Sequence, residues 1–329
     1  MSSSQKDSIL LPGIGSWSRS AHQFSEHERG AIKAAEITGR PLLIRGEPGL
    51  GKSQIARAIA AQNHWPLITH VVNARTEIDD LLYRVDHVRR LSDAHLMAAS
   101  QQTMEKGLGG YIDHGPVWRA LYLSAGKEIE YTDDCYPSIK DKDFKGYYEP
   151  AQPGCVLLID EIDKAPPDVP NALLEVLSEM QFVVPQTGET IAGDKQNLRV
   201  IITANDERDL SAAFIRRCAA LELSLGSDPQ TRLCRIGRAH VASELIPPIS
   251  DNTIEYAAGL VVKERNRLHQ GNYRPGTSEF LDLLKVAGDF LQNGNDQDQL
   301  NSVLDQMGNY LIRKSIGGAE THGLRGSVE

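Results

Sequence analysis

Cysteine is scarce in this chain of 329 residues, which has four: Cys135, Cys155, Cys218 and Cys234. None forms a C-x-x-C pair, so neither a zinc site nor a redox motif is suggested. Cys155 lies in the apolar run Cys155-Val156-Leu157-Leu158-Ile159 and reads as a small buried apolar residue. This usage fits a reducing cytosol better than secretion. Positive charge is also short: 35 Lys and Arg face 44 Asp and Glu, for a net charge of −9. That balance argues against non-specific binding to nucleic acid or an anionic membrane as the main activity. No apolar run approaches the length of a membrane span. Met1 to Asp7 lack a signal-peptide apolar region, and position 2 is not glycine. The expectation is a soluble, cytoplasmic protein. With 40% hydrophobic and 24% charged residues, the composition is that of an ordinary globular chain, long enough for two domains.

Glycine, by contrast, is concentrated where it matters. Gly46-Glu47-Pro48-Gly49-Leu50-Gly51-Lys52-Ser53 fits the phosphate-binding pattern G-x-x-x-x-G-K-[ST]. The apolar run Pro41-Leu42-Leu43-Ile44-Arg45 precedes it, and Gln54 to Ala61, of helical composition, follows. Strand, glycine-rich turn and helix form the context the motif needs. Glycines let the backbone curl and point its N–H groups inward, and the helix start adds a positive end. Lys52 would reach the β- and γ-phosphates, and the Ser53 hydroxyl would ligate Mg²⁺.

The rest of the chain divides by pattern. Residues 1–24 are polar and Ser-rich, with Ile9-Leu10-Leu11-Pro12 and Trp17 as isolated apolar points, and read as a lead-in packed loosely on the body. Ser25 and Glu28 form a capping-box signature for a helix to Thr38, stopped by Gly39. Strands are expected at 66–73, 155–159, 198–203 and 219–225, and helices at 116–121, 170–180 and 209–217. Glu77 to Ala99 reads as largely helical, with Leu81, Leu82, Val85, Val88, Leu91 and Leu96 near helical spacing. Phe182 to Glu189 reads as a hairpin. Residues 126–154, charged and tyrosine-bearing, form a long excursion, either functional or a tolerated insertion. Alternating strands and helices over about 40–225 argue a parallel α/β sheet. From about residue 228 only helical patterns occur. The expected domains are therefore a lead-in at 1–24, an α/β nucleotide-binding domain at 25–227, a helical domain at 228–316 and a disordered tail at 317–329.

Three strand ends carry chemistry. Val156-Leu157-Leu158-Ile159-Asp160-Glu161 ends in two acids. Asp160 would hold Mg²⁺ through water, and Glu161 would polarise the attacking water. Strand C-termini are where an open α/β sheet places its ligands. Ile201-Ile202-Thr203-Ala204-Asn205 ends in an amide that would orient water or touch the γ-phosphate. Phe214-Ile215-Arg216-Arg217 ends a helix with two arginines. They either compensate the helix dipole or serve as a finger for a γ-phosphate held by a neighbouring subunit.

This order of pieces resembles an AAA+ ATPase, and within that group the MoxR-like branch. Further phrases carry the resemblance: Gly115-Pro116-Val117-Trp118-Arg119-Ala120-Leu121, Ile162-Asp163-Lys164-Ala165 after the acids, and Asn171-Ala172-Leu173-Leu174-Glu175. It covers about residues 25–225 well and the helical part loosely. The resemblance implies a P-loop parallel sheet of order 5-1-4-3-2 flanked by helices, then an all-helical lid. It implies Mg²⁺-dependent ATP hydrolysis in a ring, usually a hexamer. ATP would lie between Gly46, Glu47, Pro48, Gly49, Leu50, Gly51, Lys52, Ser53, Asp160, Glu161 and Asn205 of one subunit and Arg217 or Arg216 of the next. Arg274, which precedes Pro275 rather than lying within a helix, stands where the family's second sensor arginine would be sought. The family also implies an insert, matched here by Leu82 to Ala99, and a β-hairpin near the pore, matched by Phe182 to Ile191. Relatives act as chaperone-like remodelling motors, often with a partner carrying a von Willebrand A domain. A second reading is a nucleotide-dependent assembly switch with little turnover. A DNA-directed helicase is disfavoured by the acidic balance and by the lack of an appended DNA-binding motif.

Overall fold

A computed structural model describes residues 8–13, 17–100, 107–127, 154–205, 208–268 and 274–313. The tail 317–329, Cys135 and nearly all of the 126–154 excursion lie outside them. The chain forms two compact units, Met1–Leu225 and Gly226–Glu329.

The first unit opens with β1 (Ile9–Leu11) and β2 (Ser20–His22), an antiparallel pair, followed by α1 (Glu26–Thr38), β3 (Leu42–Arg45), α2 (Lys52–Asn63) and β4 (Leu67–Val71). Next come α3 (Ile78–Leu82), β5 (Tyr83–Val85), α4 (His87–Ser100), β6 (Ile112–His114) and α5 (Pro116–Ser124). The unit closes with β7 (Cys155–Asp160), α6 (Asp168–Glu179), β8 (Gln181–Val184), β9 (Glu189–Ala192), β10 (Leu198–Ala204), α7 (Ala212–Arg216) and β11 (Ala219–Glu222). Five of these strands form one parallel sheet in the order β11-β3-β10-β7-β4. Counted along the sheet's own strands this is 5-1-4-3-2, as the resemblance implied. Helices flank it.

The core follows from composition. Cys155, Val156, Leu157, Leu158 and Ile159 of β7 are all completely buried, as are Leu43 and Ile44 of β3 and Ile202 of β10. Such unbroken apolar strands need covering on both faces. Each fully buried Leu or Ile contributes roughly 1.5–3 kcal/mol. Polar strand ends are thereby left to emerge together at one edge, because parallel strands all finish on the same side. Ala204 pairs with Arg45, and Val71 pairs with Asp160.

Local signals behave as their chemistry dictates. Ser25 caps α1 in a full capping box with Glu28, and Gly39 ends the helix in the left-handed conformation. Two readings are corrected. The stretch from Glu77 is largely helical, as α3 and α4, but an unexpected short strand interrupts it: Tyr83–Val85 pairs antiparallel with Ile112–His114. Its cause is local alternation, with Tyr83 and Val85 half-buried and Arg84 exposed. The expected Asp209 to Arg217 helix is shortened to Ala212–Arg216, because the Ser211 side chain caps it by accepting from the Phe214 N–H.

A third correction concerns the N-terminus, which is not loosely packed. Leu11 is completely buried. The Arg57 guanidinium on α2 donates to the carbonyls of Pro12 and Ser18 and lies 5.0 Å from the Trp17 ring centroid. Arg57 is itself 3% exposed. The β1–β2 hairpin is therefore clamped to the helix that follows the glycine loop.

The second unit contains α8 (Pro229–Ala242), α9 (Asp251–Arg267), α10 (Thr277–Gln292) and α11 (Gln297–Leu311). Leu233, Ile254, Ala257, Phe280, Leu283, Leu284, Leu300 and Leu304 form its interior, each at most 1% exposed. A Cβ on Gly237 would come within 2.8 Å of Leu284 and 3.0 Å of Phe280, so the close approach of α8 to α10 requires glycine there.

Leu11→Ala is expected to lower stability by about 2–5 kcal/mol, the usual cost of truncating a fully buried leucine. Urea denaturation of the intact chain measures it. A loss under about 0.5 kcal/mol, the range of ordinary surface substitutions, would mean that the hairpin is only loosely held after all.

Candidate functional site

The glycine loop spans Gly46 to Gly51, between β3 and α2. Gly46, Gly49 and Gly51 have φ of 143°, 77° and 91°. At Gly46 the reason for glycine is also steric, since a Cβ would meet the Leu223 carbonyl oxygen at 2.3 Å. Gly51 caps α2 with no side-chain hydrogen bond, so the helix start keeps its N–H groups for something other than a side chain. Pro48 and Gly49 are exposed, whereas Gly46 and Leu50 are buried and Glu47 is half-buried. Lys52 is the first residue of α2 and only 7% exposed. Its ammonium donates to the carbonyls of Gly46 at 2.6 Å and Glu47 at 3.0 Å.

Beside the loop, Ser53 Oγ donates to Asp160, lying 3.0 Å from Oδ1 and 2.9 Å from Oδ2. The Thr203 hydroxyl also donates to Asp160 Oδ1 and accepts from the Glu161 backbone N–H at 3.0 Å. Thr203 is completely buried on β10. One carboxylate thus ties α2, β7 and β10 together. Sequence reasoning passed over Thr203. The signal was a hydroxyl two residues before the strand-end Asn, in an otherwise apolar run.

Glu161 follows Asp160 in a left-handed conformation, φ 60° and ψ 46°. For a non-glycine residue this costs on the order of 1–3 kcal/mol and persists only where the surroundings enforce it. Here the enforcing elements are the Thr203 bond and the 3-10 turn Ile162–Lys164 that Glu161 caps. The strain turns the side chain toward Asn205, whose Nδ2 donates to Glu161 Oε1 at 3.0 Å. The Asn205 N–H donates to Asp163 Oδ2 at 3.1 Å, and Asp163 is 3% exposed. Lys164 Nζ donates to Glu161 Oε2 at 2.8 Å. Burial pushes the Glu161 carboxyl up, but the bonds from Lys164 and Asn205 and the charges of Lys164 and Lys52 outweigh it and hold the group below its ordinary value. It is a carboxylate at neutral pH. Lys164 was also missed. Its position three residues after Glu161 was visible, but a charged residue in a turn carries no signal of its own.

These contacts bring Lys52, Ser53, Asp160, Glu161 and Asn205 to one sheet edge. Arg216 and Arg217 are not there. Both are exposed, and they precede β11, whose first residue Ala219 pairs with Leu42, the first residue of β3. They therefore sit at the opposite end of the strands from Gly46, separated from it by the length of β3, roughly 13 Å over the four positions from Leu42 to Gly46. Arg40 beside them donates to the Arg216 carbonyl at 3.4 Å. Arg274 belongs to the second unit, where it is half-buried and donates to the Arg265 carbonyl at 3.2 Å.

The residues present fit a magnesium-bound nucleoside triphosphate. The loop curls through three glycines at positive φ, with the lysine at its foot and a helix start that has no side-chain cap. Ser53 and Asp160 offer hard oxygen donors side by side, suited to an ion that keeps several waters. Among the described residues no cluster of three or more His, Cys, Asp or Glu side chains forms an all-protein metal cage.

A family model for the AAA domain (dynein-related subfamily) matches residues 41–218, which is more than half of the chain. The chain belongs to this family. It is therefore an AAA+ ATPase family member, with the match running from the start of β3 to the end of α7. Among solved structures it is similar to the Holliday junction branch migration motor RuvB of Thermotoga maritima, at 18% identity and a TM-score of 0.46, over 86% of this chain and 67% of that one. A mutant of the same RuvB gives 18% identity and a TM-score of 0.49, over 87% and 72%. No curated protein matched. Among the described residues of this AAA+ chain no helix is long and apolar enough to cross a membrane.

Thr203→Val keeps the shape of the side chain and removes both hydrogen bonds. It is expected to cost about 1–3 kcal/mol, the penalty for stranding a buried polar partner. Chemical denaturation measures this, and a neutral result would show that Asp160 and the Glu161 N–H do not depend on Thr203.

Proposed function

We propose that this AAA+ chain hydrolyses ATP in a ring of subunits and uses the cycle to remodel a protein partner, as a MoxR-like motor. The observation that carries it is the pair of contacts at one sheet edge: Ser53 on Asp160, and Asn205 on Glu161. The first joins the two groups that would hold the metal, and the second the two that would orient the attacking water. Lys52 and the N–H groups of the loop would hold the phosphates. Ser53 and Asp160 would hold Mg²⁺, which when bound neutralises charge on the β- and γ-phosphates. Glu161 is ionised and so able to accept a hydrogen bond from a water aimed at the γ-phosphorus. As the water oxygen bonds to phosphorus, the bond to the β,γ-bridging oxygen breaks and ADP leaves with the electron pair. Asn205 would fix the carboxylate's direction and would reach the same water.

Arg217 is our first choice, with Arg216 second, for a finger acting on the neighbouring subunit's γ-phosphate. Supporting this is their location at the far end of the strands, out of reach of their own glycine loop. Such a site is complete only between subunits, which favours a ring, commonly of six. Arg274 is proposed as the second sensor on sequence position alone. A partner with a von Willebrand A domain is proposed from the MoxR-like resemblance. The domain limits we propose remain 1–24, 25–227, 228–316 and 317–329, and the compartment the cytoplasm. A second reading, an assembly switch with little turnover, draws support from one feature: both Glu161 oxygens are already engaged.

Two variants test this. Glu161→Gln is expected to keep ATP affinity within about two-fold and to lower steady-state hydrolysis at least about 100-fold, the lower end of the range for removing a general base. Phosphate release and binding of a fluorescent ATP analogue measure both, and unchanged turnover would sink the role of Glu161. Arg217→Ala is expected to leave ATP affinity of dilute protein unaltered and to remove the rise in turnover per subunit with protein concentration. If wild-type turnover shows no such rise, the finger does not act between subunits.

A further inference from the structure

We propose that Lys164 is a positioning residue that holds Glu161 back, a latch whose opening sets the rate of hydrolysis. This rests on the reading of Glu161 as the group that polarises water. The geometry begins with the backbone. Glu161 caps the 3-10 turn Ile162–Lys164, and the Lys164 N–H donates to the Glu161 carbonyl at 3.0 Å. That bond closes one tight turn and brings the two residues close together. The turn itself is fixed, because Ile162 is completely buried and Asp163 is bonded to the Asn205 N–H. The two side chains therefore meet unless a rotamer changes, and they do meet, at 2.8 Å.

The consequence is a carboxylate engaged at both ends. Oε1 accepts from Asn205 and Oε2 from Lys164. A carboxylate oxygen that carries an ammonium is a poorer acceptor for a water proton, since the ammonium draws off the charge the water needs. Asn205, a neutral donor, orients Glu161 without that penalty. The Lys164 side chain is 38% exposed and that of Glu161 30%. A pair this accessible has water as a ready competitor and is weak enough to open. The lysine stem is long and flexible, so opening requires no backbone movement. The other charged groups near Glu161 do not replace Lys164. Lys52 is held by the Gly46 and Glu47 carbonyls, Asp160 by two hydroxyls, and Asp163 by the Asn205 N–H.

The test uses Lys164→Met, which keeps the stem and removes the charge. Its kcat per subunit is expected to rise about two- to five-fold, the range an exposed ion pair allows, with KM for ATP unchanged. Lys164→Arg, which keeps a cation within reach of Oε2, is expected to fall between wild type and Lys164→Met. The rise must vanish in the Glu161→Gln background. A fall in kcat for Lys164→Met would show that the lysine supports the productive arrangement, and unchanged kcat with a lower Tm would show that it only staples the turn; either overturns the latch. A second measurement does not need turnover. In protein without added nucleotide, the Tm losses of Lys164→Met and Glu161→Gln are expected to be non-additive, and they stay non-additive with a slowly hydrolysed ATP analogue, the state whose latch kcat reads. Additivity in either condition also overturns the latch. An ATP-binding wild-type chain that never hydrolyses, yet shows the non-additive Tm losses, would count against the motor reading and not against the latch.

Discussion

The Asp160 carboxylate is the joint on which the nucleotide edge of this molecule depends. It accepts from Ser53 on α2 and from Thr203 on β10 while it ends β7. Three segments far apart in sequence are thereby held in one register at the place where their strands stop. The apolar sheet beneath supplies most of the folding free energy, but burial has no direction and would tolerate small shifts of one strand end against another. Hydrogen bonds to one half-buried carboxylate do have direction. They convert a generic parallel sheet into a site whose polar groups each stand within hydrogen-bond distance of a partner.

From that joint the strain at Glu161 becomes intelligible. Its N–H must reach Thr203, its turn must bury Ile162, and Asp163 must hold the Asn205 backbone. No right-handed or extended conformation was adopted under these three demands. The left-handed one aims the side chain across to β10. Strand order matters here: β7 and β10 are neighbours, so Glu161 and Asn205 can touch. The same order puts the start of β11 beside the start of β3, which carries Arg216 and Arg217 away from the loop. The parallel arrangement that gathers the acids at one edge excludes the arginines from it.

Much of this was legible in the residues. The G-x-x-x-x-G-K-[ST] spacing, the apolar strands and the acids at the end of β7 are strong because each is a short-range pattern with one physical cause. The capping box at Ser25 and Glu28 is of the same kind. What escaped was long-range. Leu11 read as an isolated apolar point, because nothing local shows that Arg57, 46 positions later, will clamp its hairpin to α2. The break at Tyr83 escaped because leucines and valines continued at near-helical spacing through it. Only the pairing with Ile112–His114 decides for a strand.

The misread stretch also shows the limit of periodicity. Val88, Leu91 and Leu96 do fall on α4 at helical spacing, yet they are 77%, 61% and 69% exposed. An apolar stripe says that a face prefers contact, and it does not say with what. Lys164 makes the opposite point. It stands in a phrase that marks the family resemblance, but that phrase says nothing of what the side chain does, which comes from its place one turn after a strained glutamate. Sequence motifs therefore identify groups that any member of the fold must have. How readily those groups act in this chain depends on contacts whose role no motif states, and that of Lys164 with Glu161 at 2.8 Å is one of them.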